Sequence, residues 1–456
     1  MILRGPWEQS MTGQDREVAA TAVLSARWVL PVAPENCVLE DHSVVLAGSR
    51  IVAVLPTADA RRRFPEVEET RLDRHALLPG LVNAHGHAAM CLFRGYADDQ
   101  PLDTWLEERI WPLEARWVDA GFVADGTGLA AAEMIAAGTT TFSDMYFFPE
   151  AAAAVVERSG LRAQICAPLV RFPNAWSASA DGAIHQTLAL HDELRHAERI
   201  HVAFGPHSTY ALDVAHLERI GTLAEQLGIG VQIHLHETAA EVATARRTVG
   251  ARPIDTLERC GLLGPQLQAV HMTQIEPGDA ERLARHDVSV IHCPQSNMKL
   301  ASGACPVAAL RAAGVRVALG TDGAASNNGL SLFREMHVAA LLAKLVTLDA
   351  TALPTFEVLR MATLSGAEAL GLGDTTGSLE PGKAADLIAV DLSGVANEPV
   401  FHPESQLVHA GAERGVSHVW VDGRALYRDG AHQTLDPAAI LGAARRWRDR
   451  MQDAHP

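Results

Sequence analysis

Eight short β-branched or apolar runs recur between residues 77 and 376, each ending in polar residues, with longer helical stretches between them. They read "LLPGLVNAHGH", "TTTFSDM", "RAQICAPLV", "RIHVAFGPHS", "VQIHLHE", "LQAVHM", "VSVIHCP" and "VRVALGTDG". The intervening segments, such as "DVAHLERIGTLAEQLG" and "GDAERLARHD", are amphipathic. Strands separated by helices pair in parallel, because parallel neighbours need a crossover connection. Eight such units predict an α/β fold closed as a (β/α)8 TIM barrel. A doubly wound sheet would carry a G-x-G-x-x-G turn after its first strand, and "GHAAMCLFRG" has none.

The flanks have a different texture. "ARWVLPV", "HSVVLAGSRIVAVLP" and "ETRLDRHALL" precede the barrel, while "GSLEPGKAADLIAVDL" and "SHVWVDGRALYRDG" follow it. These are short strands broken by turn residues, the last pair reading as a hairpin across Asp422-Gly423. Neither flank has enough strands for a stable sheet alone. The expected organisation is a small β-sandwich domain from residues 1–76 and 377–436 around a catalytic barrel at 77–376. "DPAAILGAARRWRDRMQ" within 437–456 reads as a closing helix and tail.

Charge and cysteine usage narrow the partners. A formal net charge of -17 disfavours nucleic acid and acidic membranes, whose phosphates it would repel. No apolar stretch reaches the roughly 18 residues of a membrane span, and "MILRGPWEQSMTGQDREVAA" contains no apolar leader core. The six cysteines are scattered without a Cys-x-x-Cys pair, which suits reduced thiols in a cytoplasmic protein. Cys293 in "IHCPQSN" reads as a packed thiol and His292 beside it as a structural hydrogen bonder. A homo-oligomer is the default expectation for such folds.

In a barrel of this kind the chemistry sits at the C-terminal ends of the strands. Strand one ends in His85 and His87, strand four in His207, and strand five in His234 followed by Glu237. Strand six ends in His271 and strand eight in Asp322. Alternate residues of a strand share a face, so His85 and His87 are expected side by side. Any one of these residues alone reads better as a satisfied core or surface residue than as a ligand; the specificity lies in the set. His85, His87 and His234 would offer nitrogen and Asp322 oxygen to one divalent metal, zinc being the expected ion. Such an ion brings the pKa of its water from about 15.7 towards neutrality. Glu237 could face the substrate and carry a proton, help worth roughly 100- to 10,000-fold in rate. Asp322 would also orient the water, and His271 would either ligate weakly or donate a hydrogen bond to the hydroxide. "HETAAE" at 236 is no zincin motif, because position 240 is Ala. The cytidine-deaminase type of zinc site needs a Cys-x-x-Cys that is missing. Ser296, Asn297 and residues 326–328 follow strands seven and eight, where they either line the pocket or serve as turn and cap residues.

This pattern of His-x-His, two later histidines and a late aspartate resembles the amidohydrolase superfamily, whose barrels carry a flanking β-sandwich. Some members bridge two metals with a carboxylated lysine at the end of strand three or four. No lysine precedes Lys299 here, which leaves a mononuclear site, often that of a deaminase. "GLVNAHGHAAMCLFRGYADDQPLDTWLEERIWPLEARWV", "GTTTFSDMYFFPE", "FGPHSTYAL", "HLHETAAEV", "HCPQSNMKLASG" and "LGTDGAASNN" are similar to the 5-methylthioadenosine/S-adenosylhomocysteine deaminases. The resemblance implies that Glu114 binds ribose hydroxyls, His207 the purine side, and Glu237 with Asp322 the reacting edge. Trp105 would form an apolar wall. Arginines that some members place after strand three leave only Arg171 here, and His236 stands where a tyrosine can occur. The implied activity is metal-dependent deamination of adenine nucleosides: 5'-methylthioadenosine, S-adenosylhomocysteine or adenosine. The rivals are a guanine deaminase or triazine chlorohydrolase on the same scaffold, and a catalytically inactive binding protein.

Overall fold

A computed structural model describes residues 19–453. Residues 1–18, which carry most of the stretch read above as lacking a leader and the start of the N-terminal flank, lie outside the described residues. So do residues 454–456 of the tail.

Strands Leu81–Asn83, Thr139–Met145, Arg162–Leu169, Ile200–Pro206, Val231–Leu235, Leu267–His271, Ser289–His292 and Arg316–Leu319 pair in that order, all parallel. The Ala84 N–H donates to Leu319 O (2.9 Å) and the Asp322 N–H to His85 O (3.1 Å), joining the eighth strand to the chain leaving the first. Strands two and three are buried at every position, as expected where a parallel sheet is covered on both faces. Outside them, helix Val214–Leu227 turns Leu217, Ile220 and Ala224 inward at spacings of three and four. These three share a core with Val231 and Ile233 of the following strand.

The first strand departs from expectation. Residues 77–87 were expected to form one strand, yet Glu69–Pro79 belongs to the flanking sheet and Leu81–Asn83 to the barrel. The chain changes sheets at Gly80, where a Cβ would stand 2.1 Å from Thr140 Oγ1. His85 and His87 therefore lie beyond the strand in irregular chain, and their convergence comes from that chain's path. Gly320 makes the matching approach just after strand eight, where a Cβ would come within 2.9 Å of the His85 backbone.

The flanks combine into one mixed sheet. Its order is Ala431–His432, Arg424–Arg428, Val416–Val421, Leu387–Asp391, Glu69–Pro79, Ala22–Val29, Leu39–Ala47 and Arg50–Pro56. Its far edge turns back: the Ile51 N–H donates to Lys383 O and the Ala385 N–H to Ser49 O. The sheet thus encloses an inner layer that contains Leu24, Leu46, Leu77, Leu387, Ala389 and Trp420. Alternate residues Leu78, Ile388, Val390 and Val419 face the barrel core, a period of two that lets one sheet serve both cores. The hairpin forms at Asp422 and Gly423, both with positive φ. Arg162, at the start of barrel strand three, donates to Asp386 Oδ2 (3.0 Å) and Asp422 Oδ1 (2.8 Å), tying the flanks to the end of the barrel opposite the site. Helix Pro437–Asp453 seats Trp447 against Phe122, its indole N–H donating to Asp125. Among the described residues, no helix is long and apolar enough to cross a membrane.

Candidate active site

Four donor atoms from His85, His87, His234 and Asp322 lie within 4.8 Å of one another at the C-terminal end of the barrel. Each imidazole is pinned through its inner nitrogen. His87 Nδ1 donates to Met145 O (2.6 Å) and His234 Nδ1 to His207 O (2.7 Å). A carbonyl can only accept, so Nδ1 carries the hydrogen and the Nε2 lone pair is left for the site. His85 Nδ1 lies 2.7 Å from Gln232 Oε1, and that amide is oriented by Nε2–H bonds to Ala84 O (3.0 Å) and Gln268 Oε1 (2.8 Å).

The donor set fits a divalent cation. His85 Nε2 is buried and accepts no hydrogen bond, a position a metal would satisfy. His85 Nε2 and His87 Nε2 stand 3.5 and 3.2 Å from Asp322 Oδ1. Burial opposes a charge on His87, but the bond and charge of Asp322 outweigh it and raise that imidazole to about 9. The cluster attracts positive charge. Burial, reinforced by neighbouring imidazoles, keeps His234 well below the usual range. Asp322 stays far below the ordinary carboxylate range despite burial, because His85 and His87 stabilise its charge. Ser296 Oγ (2.6 Å) and Ser326 Oγ (3.0 Å) donate to its Oδ2, and the Gly323 N–H (2.8 Å) to its Oδ1. Three nitrogens and one oxygen are a zinc-type set.

His271 stands beside this group, its ring 5.5 Å from that of His234. Its Nδ1 lies 2.8 Å from Asn297 Oδ1, so the outward Nε2 faces Glu237 Oε2 at 3.7 Å as an acceptor. His236, His271 and Asp322 have φ of 52°, 76° and 58°. Left-handed backbone at non-glycine strand ends is stored strain of the kind found at functional sites.

Glu237 keeps 14% of its side chain exposed, facing the cavity, and desolvation with the charge of Asp322 pushes its carboxyl up to about 8. The capping of helix Ala239–Val249 places it: Thr238 Oγ1 accepts from the Glu241 N–H, and Glu241 Oε2 accepts from the Glu237 N–H (2.7 Å).

Nine of the ten candidate site residues border one cavity of about 480 Å³; the tenth, His85, is fully buried and does not reach its surface. The inner end holds the histidines, Asp322 and Glu237. Glu114, on helix Trp111–Trp117, lies further along; burial lifts it to about 7, and Tyr146 Oη donates to its Oε1 (2.8 Å). Trp105 is 5% exposed, its indole N–H fixed on Ala97 O (3.0 Å). Arg171 lies at the mouth, 59% exposed. His236 turns away: its Nδ1 bonds Gln274 O and its Nε2 accepts from the Ile254 N–H, so it serves structure. Cys293 is a packed thiol raised by burial, and His292, expected as a hydrogen bonder, has a buried Nδ1 with no partner.

Gln232, Tyr146, Glu241 and the role of Asn297 escaped sequence reasoning. Gln232 alone left a signal: it lies two residues before His234 in "VQIHLHE", on the same inward face.

A closed parallel barrel with three imidazoles and a carboxylate converging at its C-terminal mouth defines a class of metal-dependent hydrolases, and the chain belongs to the amidohydrolase family, whose model matches residues 76–426. It is 47% identical over 433 residues to the 5-methylthioadenosine/S-adenosylhomocysteine deaminase of Saccharophagus degradans (95% of this chain, 97% of the relative). It is 48% identical over 428 residues to that of Teredinibacter turnerae (94% and 97%). A crystal structure of an adenosine deaminase from Xanthomonas campestris with bound zinc superposes with a TM-score of 0.93 at 47% identity, covering 95% of this chain and 99% of that one. Atrazine chlorohydrolase from Arthrobacter aurescens, at 22% identity over 94% of this chain and all of that one, shares the fold (TM-score 0.88).

Proposed function

We propose that this chain is a zinc-dependent deaminase that replaces the 6-amino group of adenine nucleosides with oxygen, releasing ammonia. Its substrates are 5'-methylthioadenosine, S-adenosylhomocysteine and adenosine. One observation carries the reading: a single cavity of nucleoside size joins the His85, His87, His234 and Asp322 cluster to a second, partly buried carboxyl, Glu114. Relatives named as deaminases of 5-methylthioadenosine and S-adenosylhomocysteine, and a neighbour named as an adenosine deaminase, support it.

His85, His87, His234 and Asp322 would hold the ion, which when bound supplies a water acid enough to react at neutral pH. Glu114 accepts from the two vicinal ribose hydroxyls, a match that a neutral side chain makes less well. Trp105 walls the apolar side, and His207, lowered to about 4 chiefly by burial, contacts the purine as a neutral imidazole. Glu237 gives its proton to N1 of the ring while Asp322 takes one from the water adding at C6. Asp322 then passes its proton to the leaving amine, and the hydroxyl proton on C6 returns to Glu237. Ammonia and the inosine analogue leave with both carboxyls restored. His271, as an acceptor beside Glu237, keeps that carboxyl in line.

We read the chain further as a cytoplasmic homo-oligomer without nucleic-acid partners. Six free cysteines, the acidic balance and exposed apolar side chains such as Leu345 and Phe401 support this. The deciding experiment offers the zinc-loaded protein a panel of adenine nucleosides and free bases, following ammonia and the adenine chromophore. Glu114→Gln is expected to lower kcat/KM for nucleosides by at least about tenfold more than for a free base. Silence across the nucleosides, or equal losses in the variant, would overturn the reading.

A further inference from the structure

Glu335 lies in the first turn of helix Leu332–Thr347, the helix that follows barrel strand eight, and is fully buried. An ionisable group out of water is costly unless partnered, and every partner of Glu335 is a donor. Its Oε1 accepts from Gln295 Nε2 (2.6 Å) and Asn327 Nδ2 (2.5 Å), and its Oε2 from the Gln295 N–H (3.2 Å). Burial pushes the carboxyl up to about 8, but all three contacts are N–H donors and none offers an acceptor to a carboxyl proton, so the geometry is that of a carboxylate.

The two partners sit on different loops. Gln295 opens the short helix Pro294–Lys299 after strand seven, and Asn327 closes the turn Ala324–Asn327 after strand eight. Each loop delivers groups to the site. From the first, Ser296 Oγ donates to Asp322 Oδ2 and Asn297 Oδ1 holds His271 Nδ1. From the second, Ser326 Oγ donates to the same Asp322 oxygen, and the Ser296 and Ser326 hydroxyl oxygens lie 3.0 Å apart. Asn327 Nδ2 also donates to Thr321 O (2.7 Å), whose own N–H meets Asn83 Oδ1 (2.9 Å) on strand one. Glu335 does not border the cavity. One carboxylate therefore fastens both loops from behind.

We propose that Glu335 is a positioning residue: by tying the loops after strands seven and eight to one helix, it fixes Ser296, Ser326 and Asn297, and through them Asp322 and His271. The proposal rests on the roles given above to those two residues. Glutamine keeps the shape but has one accepting oxygen, so an N–H on Gln295 or Asn327 would meet an amide N–H.

The test compares the full-length protein with Glu335→Gln, Ser326→Ala and the double variant, on the nucleoside the unsubstituted enzyme turns over best. Expected for Glu335→Gln is a fall of about tenfold in kcat with KM within about twofold and little change in unfolding temperature. The loss should not add to that of Ser326→Ala, because both act through Asp322. An unchanged kcat, full additivity, or a loss matched by a fall in unfolding temperature overturns the proposal. Should Glu335→Gln fail to fold, Asn327→Ser, which cuts one of the two ties, is read by the same criteria. If the unsubstituted enzyme turns over no nucleoside, the functional reading fails separately. The visible spectrum of the cobalt-substituted protein then decides: a shift in Glu335→Gln supports the tie to Asp322, and an identical spectrum sinks it.

Discussion

At the inner end of the cavity His85, His87, His234 and His271 each commit their Nδ1 to a fixed oxygen, whereas at the mouth Arg171 reaches into solvent, 3.7 Å from Asp213, with 59% of its side chain exposed. The inner groups hang on strand ends and on loops cross-braced by buried serines, amides and Glu335. Around the mouth the lining is largely apolar, with Leu106, Trp111 and Phe172 among it. Charges in a buried, braced setting act at low effective dielectric and carry large energies; an exposed ion pair is screened and worth about 0–1 kcal/mol. The inner end is thus built for chemistry and the mouth for tolerance. Substitutions should grade in the same direction.

The largest effect is expected at Glu237. Glu237→Gln removes the proposed proton donor without removing a member of the four-residue donor group. kcat should fall by roughly 100- to 10,000-fold while metal content, measured by elemental analysis, stays at one ion per chain. Near-normal turnover would mean that the proton reaches the ring by another route. Loss of metal alongside activity would instead place Glu237 among the ligands. Next comes Gln232→Leu, which leaves His85 in place but takes away the oxygen that orients it. Losses of second-layer partners of this kind cost about 10- to 100-fold in metal affinity. Competition with a chelator reads this directly. Unchanged affinity would show that His85 needs no such support, and the inner end would be less braced than its hydrogen bonds suggest.

What could be read from the chain itself follows the same division. The eight strands were legible because each is an apolar run closed by polar residues, and His234, His271 and Asp322 because barrels put chemistry where strands stop. Strand one misled: Pro79-Gly80 in "LLPGLV" signals a turn, but that this turn carries the chain from one sheet into another depends on the close approach of Gly80 to Thr140, a contact from another strand that no local pattern records. Helix Thr57–Arg63 between flank strands likewise went unread. Asn297 and Glu335 resemble ordinary loop and helix polar residues. Their importance arises only when the loops after strands seven and eight meet. The first ring of side chains is a property of sequence position, while its bracing is a property of tertiary contact.

Arg171 gives the smallest expected effect and the sharpest reading of the mouth. 5'-Methylthioadenosine ends in an uncharged thioether, which an apolar rim accommodates without an ionic partner. S-Adenosylhomocysteine ends in a carboxylate and an ammonium, and Arg171 is the cation that borders the cavity near its opening. Because that guanidinium is exposed and shared with Asp213, its attraction for a carboxylate is screened. Arg171→Ala should therefore leave kcat/KM for 5'-methylthioadenosine within about twofold, and lower that for S-adenosylhomocysteine by no more than about fivefold. The second loss should shrink as salt is raised. A drop of a hundredfold on S-adenosylhomocysteine alone would mean that the mouth closes over its substrate and desolvates the pair, making the outer end as exacting as the inner one.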